Sequence, residues 1–269
     1  MPVRDRRVTR VRVHVVSDVH GSTEALSRAA DGADALLCLG DLVLFLDYDD
    51  ATQGIFADLF GAENTRRFVE LRTAGRFAEA RAWTAGLWDE VVVREGRDRH
   101  AVLEHKVRQQ YAELFAAMPT PAYLTYGNVD VPAFWSDYLR PGHTVLDGEV
   151  IELDGLRVGF VGGGLVSPMR TPYELEESAY AEKVAALGEV DVLCAHIPPA
   201  VPELCYDVVA RRFELGSRAI LEHVRETQPR LVLFGHVHQP LVRRARIGRT
   251  ECVNVGHFRG GRTPFALSW

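Results

Sequence analysis

Cysteine is scarce in this chain of 269 residues: four are scattered at Cys38, Cys194, Cys205 and Cys252, none in the close pairs that mark zinc ribbons or dithiol redox motifs. Cys38 and Cys194 lie inside the apolar runs ALLCLG and DVLCAH and read as small buried hydrophobes. Long apolar runs are also missing. No stretch approaches the ~20 apolar residues of a membrane-spanning helix, so no membrane partner is expected. The arginine-rich start, MPVRDRRVTRVRVHVV, leads into an apolar stretch too short and interrupted for a secretory leader, and reads as a frayed entry to the first strand. The cytoplasm is the compartment expected. Positive charge is not in excess either: the formal net charge of −6 argues against strong nucleic-acid binding, which rests on many Lys and Arg contacts to phosphates.

Hydrophobic residues make up 47% and charged residues 25%, the balance of an ordinary globular chain long enough to bury a substantial core. With no internal repeat and no low-complexity linker, the chain reads as a single domain over 1–269. Short apolar runs recur, each closed by glycine or a small polar residue: VRVHVVS, ALLCLG, AYLTYG, VIEL, RVGFVG, DVLCAH, RLVLFG and ECVNVG. Such runs read as buried strands. Helical patterns separate several of them. Ser22 is placed to cap a helix through TEALSRAA, and SAYAEKVAALG ends with Gly188 where a helix terminates. Alternating strands and helices predict an α/β sheet protein. VIELDGLRVGFVGGG and LVRRARIGRTECVNV read as hairpins.

Residues 48–118 break this rhythm. Phe68, Leu71, Phe77, Trp83, Leu87, Trp88, Leu103, Val107, Tyr111, Leu114, Phe115 and Met118 recur at helical spacing, which predicts a helical insertion on one edge of the sheet. Its aromatic residues read as its own core. A cap over the site and an interface for a homo-oligomer both fit the pattern.

The polar residues at the strand ends carry the chemistry. VVSDVHGS puts Asp18 and His20 after the first strand, and LLCLGDLV puts Asp41 after the second. Asn128 follows in YLTYGNVD, His196 in VLCAHIPP, and His236 and His238 in LVLFGHVHQP. In open α/β sheets ligands bind beyond the carboxyl ends of strands, so these residues are expected to converge on one rim. Glycines before Asp41, Asn128 and His236 let the backbone turn as it leaves the sheet. The set is too large for one tetrahedral ion and suits two ions a few ångströms apart.

The ordered blocks DVH, GD, GNVD, AH and GHVH resemble the motifs of the calcineurin-like metallophosphoesterases, nearest to the bacterial and archaeal phosphodiesterase members that lack the histidine of the GNH motif. The resemblance runs from Asp18 to His238. It implies the metallo-dependent phosphatase fold, a four-layer α/β/β/α sandwich of two mixed sheets flanked by helices. It also implies two divalent metal ions, Mn, Fe, Zn or Ni with Mn favoured. Asp18, His20 and His238 would bind the first ion, Asn128, His196 and His236 the second, and Asp41 would bridge both while a bridging hydroxide attacks phosphorus in line.

The chain departs from the family at Val129, where many members have the histidine thought to protonate the leaving group; Asp130, the acidic residue that follows, is kept. The departure predicts a phosphodiesterase acting on a small-molecule or nucleotide substrate with an acidic leaving group. A phosphomonoesterase or phosphoprotein phosphatase, and a non-catalytic scaffold of the same fold, are the alternatives. His257 in CVNVGHFRGG is a candidate replacement acid, and His143 in RPGHTV reads more simply as a loop histidine. Gly162, Gly163 and Gly164 with Arg170 read equally as a phosphate seat and as a glycine-rich turn. Arg243, Arg244, Arg246 and Arg249 read as a solvated hairpin, with contact to an anionic substrate as the alternative.

Overall fold

The computed structural model describes residues 11–269, so the frayed start assigned to the N-terminal arginines lies outside the described residues. β1 (Arg12–Val16) and β2 (Ala35–Cys38) run parallel, joined through the short helix α1 (Thr23–Leu26). Ser22 does sit at the start of α1, but its side chain makes no capping bond and the helix stops at Leu26, well short of TEALSRAA. Three helical segments follow: α2 (Ile55–Thr73), broken at Gly61 where φ is 80°, α3 (Phe77–Glu95) and α4 (Arg99–Ala117). Gly96 ends α3 in a left-handed conformation, and Asp98 starts α4 by accepting from Ala101 N at 2.9 Å, so REGRDRH is a stop and a start in succession. The chain returns as β3 (Ala122–Leu124), crosses α5 (Pro132–Trp135) and adds β4 (His143–Val145).

The second half begins with a hairpin of β5 (Glu149–Leu153) and β6 (Leu156–Val161), turned by Asp154 and Gly155, both at positive φ. β7 (Gly164–Leu165) and β8 (Glu174–Leu175) make a small parallel pair before α6 (Glu177–Ala186). β9 (Val192–Ala195) leads through α7 (Pro202–Cys205) to a short hairpin of β10 (Tyr206–Asp207) and β11 (Arg212–Phe213). After α8 (Arg218–Thr227) come β12 (Leu231–Phe234) and the hairpin of β13 (Arg244–Ile247) and β14 (Thr250–Asn254). The short helix α9 (Phe258–Gly261) then precedes β15 (Phe265–Ser268), which pairs antiparallel with β1.

Two mixed sheets result, in the orders β15-β1-β2-β3-β4 and β13-β14-β12-β9-β6-β5. Period-two alternation sorts their side chains into layers. Val13, Val15, Ala35 and Leu37 of the first sheet meet Val158, Phe160, Val192, Cys194, Leu233 and Val253 of the second. The opposite face of the second sheet, with Val161, Leu193, Ala195, Val232 and Phe234, packs on Tyr180 and Val184 of α6 and Ile220 and Val224 of α8. The outer face of the first sheet, with Val16, Leu36, Cys38 and Leu124, is covered by Tyr111, Leu114, Phe115 and Met118. This is the expected four-layer α/β/β/α sandwich. All four cysteines are free and buried within it.

Residues 48–118 therefore divide in two. α4 lies on the face of the first sheet, not on its edge, because its apolar stripe covers β1, β2 and β3. α2 and α3 add Ile55, Leu59, Trp88 and Val91 to that same core and pack on each other around Phe56, Phe68, Leu71 and Ala80. None of the described helices is long and apolar enough to cross a membrane.

Candidate metal centre

β1, β2 and β3 run parallel, as do β6, β9, β12 and β14, and the seven candidate ligands leave the carboxyl ends of five of these strands. The structure brings all seven together in two groups. In the first, His20 Nε2 and His238 Nε2 stand 3.3 Å apart, Asp18 Oδ1 is 3.4 Å from His238 Nε2, and Asp41 Oδ2 is 3.7 Å from His20 Nε2. In the second, Asn128 Oδ1 is 2.9 Å from His196 Nε2 and 3.0 Å from His236 Nδ1, and Asp41 Oδ1 is 3.4 Å from His196 Nε2. The two oxygens of Asp41 thus face one group each.

These residues fit divalent cations. His20 Nδ1 donates to Val43 O at 3.0 Å and His196 Nδ1 to Leu39 O at 2.9 Å, which aims each Nε2 inward, where a cation would displace any proton it carries. Asp18 Oδ1 is buried and has no hydrogen-bond partner among the described residues, while Asp18 Oδ2 accepts from His236 N at 2.9 Å. Burial opposes ionisation of both carboxyls, but the surrounding imidazoles outweigh it. They hold Asp18 well below the usual carboxylate range and Asp41 down to about 2. The same attraction, chiefly from Asp41, overcomes burial to raise His196 to about 9. Anionic oxygens that draw protons onto neighbouring imidazoles form a donor set in which a cation would take the proton's place.

Backbone geometry adds what motif spacing does not reveal. Asp18, His20, Asp41 and His236 are non-glycine residues at φ of 57°, 41°, 55° and 65°. Such left-handed conformations cost on the order of 1–3 kcal/mol each and persist where surrounding bonds hold them. Asp18 N donates to Gly40 O, His20 N to Asp41 O and Gly21 N to Leu42 O, so the DVH and GD loops grip each other. The preceding glycines turn the chain less than expected. Gly40 has a positive φ, but at Gly127 and Gly235 it is the missing Cβ that matters, since one would meet Asp41 Oδ1 at 2.0 Å and Ser17 Oγ at 2.0 Å.

Asp130, next to Val129, does not face the ligands. Its Oδ2 accepts from Asp41 N and Gly127 N, both at 2.8 Å, and its Oδ1 from Leu42 N at 3.0 Å and Tyr111 Oη at 3.3 Å. Burial and the charge of Asp41 push its carboxyl up to about 7, against the backbone N–H groups that favour the ionised form. Tyr111 Oη also accepts from Val131 N at 2.7 Å, and Gln110 exchanges two bonds with the backbone of Leu44. α4 thus buttresses the ligand loops, a role that its apolar periodicity does not announce. Thr171 and Glu174 also escape motif spacing: Asn128 Nδ2 donates to Thr171 Oγ1 at 3.0 Å, and Thr171 Oγ1 donates to Glu174 Oε1 at 2.7 Å, which orients the Asn128 carbonyl toward the histidines. Thr171→Val is expected to weaken Mn(II) binding about tenfold, read by calorimetric titration.

The remaining candidates separate. His143 is a strand residue, not a loop histidine. It opens β4 opposite Ala122, at the far end of β3 from Asn128, with its ring 5.9 Å from that of Phe115. The triple-glycine segment links β6 to β7 and is not a phosphate seat, because its N–H groups are taken: Gly162 N by Asp147, Gly163 N by Tyr126 O and Gly164 N by Tyr173 O. Arg170 is exposed beyond it. Of the four hairpin arginines, Arg243 lies at the site end beside Gly256; Arg244 pairs with Glu251 at 2.8 Å, and Arg246 and Arg249 lie toward the far turn. His257 stacks on His238 with ring centroids 3.9 Å apart and planes at 3°, and lies 5.8 Å from the His20 ring. It belongs to the side of the first group, whereas Val129 N donates to Asp41 Oδ1, the oxygen facing the second. Burial and His238 push His257 down to about 3.

A sandwich of this kind, with Asp, Asn and His gathered in two groups about a shared carboxylate, has the architecture of the metallo-dependent phosphatases. The chain belongs to the calcineurin-like phosphoesterase family, whose model matches residues 91–240. That segment contains Asn128, His196, His236 and His238, and the fold adds Asp18, His20 and Asp41. A crystal structure with 14% sequence identity aligns over 94% of this chain and 93% of its own length with a TM-score of 0.58. The crystal structure of TT1561 of Thermus thermophilus aligns over 96% of this chain and 99% of that one, at 15% identity and a TM-score of 0.54. At such identities the likeness concerns the fold alone. No curated protein matches the chain in sequence. Membership of the family makes the chain a metal-dependent phosphoesterase.

Proposed function

We propose that the chain is a dinuclear phosphodiesterase acting on a small-molecule or nucleotide substrate. The observation that carries this reading is the position of Asp41, whose two oxygens face two separate groups of ligand atoms. Asp18, His20 and His238 would hold one ion, Asn128, His196 and His236 the other, with Mn favoured for a mixed nitrogen and oxygen donor set. When bound, a pair of divalent ions supplies a water deprotonated near neutral pH and positive charge for the phosphoryl oxygens. The protein residues do the rest: Asp41 would be shared between the two ions, Thr171 orients Asn128, and the exposed Arg243 beside Gly256 is available to an anionic group.

Val129 narrows the substrate. Its side chain gives no proton to a departing oxygen, and Asp130 is saturated by backbone donors, so neither residue of the pair assists the leaving group. General acid catalysis contributes about 10²–10⁴-fold, so basic alkoxide leaving groups suffer most. An aryl phosphodiester is therefore expected to be cleaved at least about 10²-fold faster than an alkyl phosphomonoester, measured as kcat/KM on the Mn-reconstituted protein. Equal or inverted rates would reject the phosphodiesterase reading. Inactivity across diesters, cyclic nucleotides, nucleotides and monoesters with both ions bound would favour the scaffold instead.

A further inference from the structure

We propose that His257, Phe258 and Arg259, together with Asp47, form a positioning clamp that presets the ligands of the first ion, a role that rests on the two-ion reading above. Phe258 N donates to Ser17 O at 3.0 Å and Arg259 N to Asp18 O at 3.1 Å. The Arg259 guanidinium continues along the same loop, with Nη1 donating to His20 O at 2.8 Å. Its Nε and Nη2 both donate to Asp47 Oδ2, at 3.0 and 2.7 Å. Asp47 is itself held, since its Oδ1 accepts from Asp49 N at 2.9 Å and Asp50 N at 3.0 Å. Loop 47–50, the start of α9 and the DVH loop are thereby joined.

The held loop is the strained one. Asp18 and His20 both sit at positive φ, and each carbonyl accepts a bond from Arg259. Without those bonds the Asp-Val-His segment is free to relax toward ordinary backbone angles, which would swing the Asp18 carboxylate and the His20 ring apart. His257 acts on the third ligand. Its ring lies flat on that of His238, with the centroids 3.9 Å apart and the planes at 3°. His257 therefore restrains the His238 ring, and its ligand nitrogen also lies within 4.8 Å of those of His20 and His238. The clamp touches Asp18, His20 and His238, and none of its bonds reaches Asn128, His196 or His236. Arginine is required because one planar group must serve two acceptors in different directions, which a lysine ammonium at the same position serves poorly.

The test is Mn(II) binding to the purified full chain, followed by titration calorimetry and by counting bound Mn in native mass spectra. Arg259→Ala and Asp47→Asn are expected to weaken one of the two binding constants about 10–100-fold and to change the other by less than about twofold, with Arg259→Lys intermediate. If Arg259→Ala fails to fold, Asp47→Asn carries the measurement. Two wild-type constants in both variants would overturn the clamp and leave the two-ion reading standing, as would an equal loss at both sites, the mark of a merely structural role. Fewer than two ions on the wild-type chain would overturn the two-ion reading itself, and the clamp with it.

Discussion

On the proposed two-ion phosphodiesterase reading, Asp41→Asn is expected to leave a chain that no longer holds two ions and whose kcat/KM for its best diester falls by at least about 10³-fold. Losing a single electrostatic partner of a transition state costs about 10²–10³-fold, and Asp41 serves both ligand groups. One oxygen is 3.4 Å from His196 Nε2 and the other 3.7 Å from His20 Nε2, so an amide keeps the shape, loses the charge and turns an NH₂ toward one set of ligand nitrogens. Elemental analysis of dialysed protein gives the stoichiometry and steady-state kinetics the rate. A variant that keeps both ions and the wild-type rate would sink the bridging role.

The largest effect on stability is expected at a carboxylate that meets no ion. Asp130 satisfies three buried backbone N–H groups and the Tyr111 hydroxyl, drawn from the loop after β2, the loop after β3 and α4. Each buried donor left without an acceptor costs about 1–3 kcal/mol, so Asp130→Ala should lose on the order of 5 kcal/mol, comparable with the whole stability of many domains. Asp130→Asn keeps one acceptor oxygen but points an amide at N–H groups, and should fall between. Tyr111→Phe removes one hydroxyl and with it the acceptor of Val131 N, and should cost about 1–3 kcal/mol. Urea unfolding followed by far-UV circular dichroism measures all three. Wild-type stability in Asp130→Ala would show that these loops are held by something else.

The sequence was most legible where chemistry and periodicity coincide. Asp18, His20, Asp41, Asn128, His196, His236 and His238 could be picked out because polar metal-binding types interrupt apolar runs at strand ends, and the parallel strands carry them to one rim. The eight apolar runs were legible as strands for the same reason. β4 and β15 were not: they are short edge strands of mixed polarity, HTV and FALS, with no apolar run to mark them. Helical periodicity revealed that residues 48–118 are helical but not which layer they join, because an amphipathic stripe requires a buried face without naming its partner. Asp130, Thr171, Glu174 and Arg259 act through backbone groups and other side chains far away in sequence, and such partners leave no spacing to read.

The left-handed turns at the rim have a consequence for how such a chain can change. At Asp18, His20, Asp41 and His236 the backbone asks for glycine, and each side chain present costs conformational energy that glycine would not. Selection for a sturdier fold and selection for the reaction thus pull in opposite directions at the same four positions. Among drifting descendants these are the sites where loss of chemistry would be accompanied by relief of backbone strain. A relative with glycines there would keep the sandwich and have given up the metals.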